Sequence, residues 1–130
     1  MQFLMTVKSD SRQTAPTPAL MEAMGKLTEK NMKAGIMLQT GGMDMDAKAT
    51  SMTLAGGKVG MTDGPFAESK EMVGGYALVE VKSREEALAL AREFLEVHAK
   101  VMGPSYAMET EIREMFPYAG IGIKATVGRP

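Results

Sequence analysis

The chain contains no cysteine and no tryptophan, and it has a single histidine. The lack of cysteine excludes disulfides, thiolate metal sites and a cysteine nucleophile, and it fits a reducing compartment. One histidine excludes the common multi-histidine metal centres within one subunit. No charge sign dominates: 15 basic residues against 16 acidic ones leave a net charge of −1, without the basic stripe that nucleic acid demands. No apolar run approaches the ~18 residues of a membrane span. Met1-Gln2-Phe3-Leu4-Met5 has neither the basic start nor the cleavage site of a signal peptide. The expectation is a cytoplasmic domain that binds neither nucleic acid nor membrane. Also absent are a Ser-His-Asp set, a phosphate loop and a dinucleotide fingerprint. The pairs Gly56-Gly57 and Gly74-Gly75 fit turns and strand starts, not GxGxxG, so no cofactor is expected.

What is abundant is methionine, with 14 residues. Its flexible thioether fills irregular gaps. Thioethers also favour Cu(I), and Met43-x-Met45 with Met37 and Met52 would be the place for it. The methionines are scattered along the whole chain, however, which indicates packing, and no metal site is expected. A length of 130 residues suits one domain, with 116–130 as a Gly-rich tail.

Residues 2–7 alternate as a short strand. Pro16 and Pro18 introduce a helix with Thr17 as N-cap. Its stripe is Leu20, Ala23, Met24, Leu27 and Ala34, interrupted by Asn31, and Gly35 ends it in a left-handed conformation. A strand over 36–40 is broken by Gly41-Gly42, and 43–49 form a loop. Strands 50–55 and 58–62 make a hairpin around Gly56-Gly57, residues that accept positive φ. Asp63-Gly64-Pro65-Phe66 reads as a rigid corner, because Pro65 donates no ladder bond and restricts Gly64. A strand over 76–81 precedes the capping box Ser83-x-x-Glu86. The helix it opens carries Ala87, Leu88, Ala91, Phe94, Leu95 and His98 on its apolar side and stops at Gly103-Pro104. A last strand covers 107–115.

This order predicts an α+β fold: a ferredoxin-like split βαβ with an inserted hairpin, two helices covering one sheet face. Phe3, Met5, Val7, Met52, Leu54, Ala77, Val79 and Val81 offer more apolar strand positions than two helices need. The surplus predicts a homodimer packed sheet to sheet.

The run from Lys58 to Glu71, KVGMTDGPFAESKE, with Gly74-Gly75-Tyr76 and Glu86-Ala87-Leu88 after the capping box, resembles the DGPF branch of the YCII-related family. The Ala34-Gly35-Ile36-Met37 junction and the Glu109-Thr110-Glu111-Ile112-Arg113 strand are similar too, so the likeness covers most of residues 1 to 115. It implies a dimeric α+β barrel with a cleft beside the sheet, and no settled activity. Some short members are thought to use a His-Asp pair with the histidine near the first helix. Here that loop reads Ser9-Asp10-Ser11-Arg12-Gln13-Thr14, so the pair does not carry over. Related members occur near, or fused to, ECF-type sigma factors, which implies a regulatory link.

Asp63 has two roles open to it: an Asx-turn cap of the corner, or a general base at a cleft mouth. Lys70, flanked by Glu68, Ser69 and Glu71, is either an electrostatic partner to such a base or part of a solvated loop. His98 either moves protons or serves the C-terminal end of its helix. Phe66 anchors the corner, and Tyr76 presents a hydroxyl to a ligand or packs against a partner. The candidate site is therefore Asp63, Lys70 and His98 for chemistry, with Phe66, Glu68 and Tyr76 as ligand contacts. Two functions remain open: a small-molecule site with cofactor-free acid–base chemistry, or a non-catalytic ligand- or protein-binding module in transcriptional regulation.

Overall fold

The computed structural model describes residues 1–8, 16–44, 49–63 and 73–116. The elements run β1 (Gln2–Lys8), α1 (Pro18–Lys33), β2 (Met37–Gly42), β3 (Thr50–Ala55), β4 (Lys58–Asp63), β5 (Val73–Glu80), α2 (Arg84–Met102) and β6 (Glu109–Glu114). Four strands form an antiparallel sheet in the order β2-β5-β1-β6, and β3-β4 form a separate two-stranded ribbon. Without the ribbon the chain is βαββαβ with the first and third of its four strands central, which is the ferredoxin-like plan. Residues 117–130, read from the sequence as part of a tail, lie outside the described residues, as do the loop residues 9–15 and 45–48.

Period-two alternation assigns the faces. Phe3 pairs with Val79, and Met5 with Ala77 and Ile112, so all five share the face that α2 covers. Phe3, Met5, Val79 and Val81 are buried there against Ala87 and Ala91. The two alanines are one turn apart, and their small side chains let the helix axis approach the sheet closely. Ser83 caps α2: its hydroxyl accepts from the Glu86 amide at 3.2 Å, and the Glu86 carboxylate accepts from the Lys82 amide at 3.2 Å. The box thus reaches one residue further back than the reciprocal bond to the cap's own amide. Thr17 caps α1 by accepting from the Leu20 amide, and Gly35 takes φ +75° just after that helix.

Several expectations change. Gly41 and Gly42 continue β2, paired with Tyr76 and Gly75, and β5 begins at Val73. The reason is steric: a Cβ on Gly41 would stand 2.9 Å from the Tyr76 ring, and one on Gly75 would stand 3.1 Å from the Gly41 carbonyl oxygen. Glycine here permits close strand approach, a use it has inside sheets. On α2, Leu88 is exposed and Leu90 packs against the core in its place. Of the eight apolar strand positions counted in the sequence, Phe3, Met5, Val79 and Val81 lie in the chain's own core, Ala77 packs against it, and Val7 lines the cavity described below. Those left over, Met52 and Leu54, are on the ribbon.

Candidate functional site

The two helices do not pack alike. The core cluster joins the sheet to α2, and no residue of α1 belongs to it. α1 is tied to α2 at its rim, through Lys30 to Glu93 at 3.1 Å and the Thr17 hydroxyl to the Met102 sulfur at 3.7 Å. Between α1 and the sheet lies a cavity of about 720 Å³, within the ~300–1,000 Å³ range of small-molecule sites.

The sheet wall of this cavity comprises Met5 and Val7 of β1, Met37, Thr40, Gly41 and Gly42 of β2, Gly74 to Ala77 and Val79 of β5, and Thr110 of β6. The α1 wall is Leu20, Met21, Met24, Leu27, Thr28 and Asn31. The α2 wall is Leu90, Ala91, Phe94 and His98, and Met43, Tyr106 and Met108 lie between elements. Six methionines line it. Among the described residues that line it there is no Asp, Glu, Lys or Arg. Two of its hydroxyls are already committed: Thr40 donates to the Tyr76 carbonyl at 2.8 Å and Thr110 to the Thr6 carbonyl at 3.0 Å.

His98 is the cavity's imidazole and is buried, at 8% exposure. Its Nδ1 donates to the Phe94 carbonyl at 2.8 Å, the residue one turn earlier. A carbonyl only accepts, so Nδ1 carries a proton, and Nε2 is the ring's other hydrogen-bonding atom. The ring is held between Phe94, with centroids 4.5 Å apart, and Tyr106, stacked at 6.0 Å and 20°. The imidazole is therefore oriented by a backbone carbonyl, the stacked Tyr106 ring and the tilted Phe94 ring.

Residues 1–102 match the family model of the YCII-related domain. The chain belongs to the YCII-related family. The match spans β1 through the end of α2, so it includes every cavity residue except Tyr106, Met108 and Thr110. No curated protein matches the sequence.

Against this geometry, the YCII-related chain brings two of the six sequence candidates to one place: His98 and Tyr76 both line the cavity. Asp63 does not line it. It closes the base of the β3-β4 ribbon, where its Oδ1 accepts from the Thr50 hydroxyl at 2.7 Å across the strand pair. Phe66, Glu68 and Lys70 lie outside the described residues, with the rest of 64–72. Thr28, Asn31 and Tyr106 are wall residues that the sequence does not mark as a site. Asn31 alone carries a signal, because it interrupts an otherwise apolar stripe, and it is buried. Among the described residues no group of three or more His, Asp or Glu could hold a metal, and no helix is long and apolar enough to cross a membrane.

Proposed function

We propose that this YCII-related chain binds a small, uncharged and mainly apolar molecule in the cavity under α1, with His98 as its polar contact. The observation that carries the reading is the composition of the wall: mostly thioethers, aliphatics and aromatic rings, no charged group among the described lining residues, and an imidazole oriented by the Phe94 carbonyl, with the Asn31 amide and the Thr28, Tyr76 and Tyr106 hydroxyls as further polar groups. An apolar molecule gains packing against such a wall, and a charged ligand would lose hydration without gaining an ion pair from any described wall residue. The same wall favours binding over acid–base turnover. No carboxylate stands among the described lining residues to pair with His98, and Asp63 serves the ribbon instead. This agrees with a ligand-binding module of the cytoplasm, the alternative that the DGPF-like run and its sigma-factor relatives imply.

The test is calorimetric titration of the full chain at neutral pH with 2-naphthol, naphthalene and 2-naphthoate. 2-Naphthol binds most tightly, and the naphthoate anion binds at least about tenfold more weakly, a difference of ~1.4 kcal/mol. His98→Phe brings 2-naphthol down to the affinity of naphthalene. Equal binding of naphthoate, or a His98→Phe variant with unchanged preference for the hydroxyl, contradicts the reading.

A further inference from the structure

The side chain of Asn31 supports nothing else in the described chain. It stands where the α1 stripe of Leu20, Met24 and Leu27 calls for an apolar residue, and asparagine is a poor helix former. The residue is 6% exposed and lines the cavity. Its main-chain carbonyl accepts from the Ile36 amide at 3.0 Å, but its side-chain amide bonds no described residue. Among the described residues, no side-chain nitrogen or oxygen that is sealed off lacks a partner. Both amide atoms therefore keep some open surface, and the space that Asn31 lines is the cavity. A buried amide without partners costs the fold stability, so the residue is poorly explained by packing.

We infer that the Asn31 amide is a second anchor of the cavity and recognises a carboxamide or lactam on the ligand. The inference rests on the reading of the cavity as a small-molecule site, and it adds a functional group to that ligand. A carboxamide carries a donor and an acceptor side by side, and Asn31 offers both unpaired. Another amide edge satisfies the two at once, each N–H donating to the other's carbonyl oxygen. Exchanging the amide nitrogen and oxygen of Asn31 leaves this match intact, because the ligand edge turns over with it. A lone hydroxyl meets one of the two atoms and leaves the other unpaired, so an alcohol stays with His98. A carboxylate only accepts, and it would set its charge against the amide oxygen.

The two anchors stand apart along the helices. Thr17, at the start of α1, bonds Met102 at the end of α2, and Lys30, beside Asn31, pairs with Glu93, so the helices run antiparallel. Asn31 thus stands near the level of Glu93. From there to His98 is roughly 8 Å along α2 at ~1.5 Å of rise per residue. Between these levels the wall is apolar, with Met24, Leu27, Leu90 and Phe94. The occupant that fits is an apolar body of about two fused rings, with a hydroxyl at one end for His98 and an amide edge at the other for Asn31.

The experiment is calorimetric titration of the full chain and of Asn31→Leu with 2-naphthol, 6-hydroxy-2-naphthamide and methyl 6-hydroxy-2-naphthoate. Thermal melts verify folding, and Asn31→Leu melts no lower than the wild type, because it removes an unpaired amide from a wall with room beside it. Asn31→Ala, smaller than the native residue, repeats the comparison free of crowding. The wild type binds the naphthamide at least about tenfold more tightly than 2-naphthol. The ester, which accepts without donating, stays within about threefold of 2-naphthol. In both variants the naphthamide loses its tenfold advantage, while 2-naphthol binding changes by less than about twofold. A wild type that binds 2-naphthol without preferring the naphthamide overturns this inference and leaves the reading of the cavity standing. A preference that survives in both variants, or a lower melt of both, overturns it as well, the latter because the amide would then serve the fold. If 2-naphthol does not bind at all, the reading of the cavity fails and the inference fails with it.

Discussion

Two glycines show how one position decides the sign of a substitution. Gly25 lies within α1 with nothing within 4 Å of where a Cβ would stand, while Gly41 would drive a Cβ to 2.9 Å from the Tyr76 ring. Gly25→Ala stabilises by roughly 0.5–1 kcal/mol, as helix propensity dictates. Gly41→Ala destabilises by about 1–3 kcal/mol because a ring packed in a sheet yields little. Urea denaturation of both variants checks the pair, and Gly41→Ala also perturbs ligand binding, since Gly41 and Tyr76 belong to the cavity wall. A second residue-scale expectation concerns Glu111. The hydrogen bond and charge of Arg113, then the charge of Lys8, hold its carboxyl below the usual glutamate range. The unfolded chain therefore binds more protons there. The contribution is present above the ordinary glutamate pKa and is lost as pH falls through the depressed folded value. A carboxyl-detected NMR titration finds the Glu111 midpoint below that of a free glutamate, and Arg113→Gln moves it back up.

At the scale of elements, caps and turns were the legible part. Thr17, Gly35, the Gly56-Gly57 turn and Ser83 act through bonds or dihedrals that one residue and its near neighbours determine, and each stands where the sequence indicated. Gly56 and Gly57 take φ of +58° and +76°. What local rules misjudged were residues whose role is set by a distant strand. Gly41-Gly42 read as a break because glycine weakens an isolated strand, whereas here it admits a tyrosine ring from β5. On α2, Leu90 rather than Leu88 packs against the core beside Ala87 and Ala91, a choice set by the sheet those alanines meet and not by the helix's own periodicity. Removing the α2 cap is the element-scale test. Ser83→Ala costs about 1 kcal/mol, and exchange of the Glu86 amide rises well before the core amides respond.

For the whole molecule, the ferredoxin-like order followed from the succession of elements, and the family from a specific run. The cavity did not follow from either. It arises because α1 and α2 present different stripes to one sheet. α2 packs Ala87 and Ala91 into the core and lines the cavity with Leu90, Ala91, Phe94 and His98, whereas Met24, Leu27 and Asn31 of α1 line the cavity without joining the core cluster. Periodicity marks both stripes alike as inward-facing and does not tell a packed face from a cavity wall. Asp63 stands in a distinctive run that leaves both a structural and a chemical role open to it, and its carboxylate bonds Thr50 across the ribbon, outside the cavity lining. The methionines that looked merely abundant supply the most direct test. In a spectrum of the chain with isotope-labelled methionine methyl groups, added 2-naphthol shifts the resonances of Met5, Met24, Met37 and Met108, which line the cavity, and leaves Met52 and Met61 on the ribbon in place. Shifts confined to Met52 and Met61, or no shifts among the cavity methionines, contradict the assignment of the ligand site.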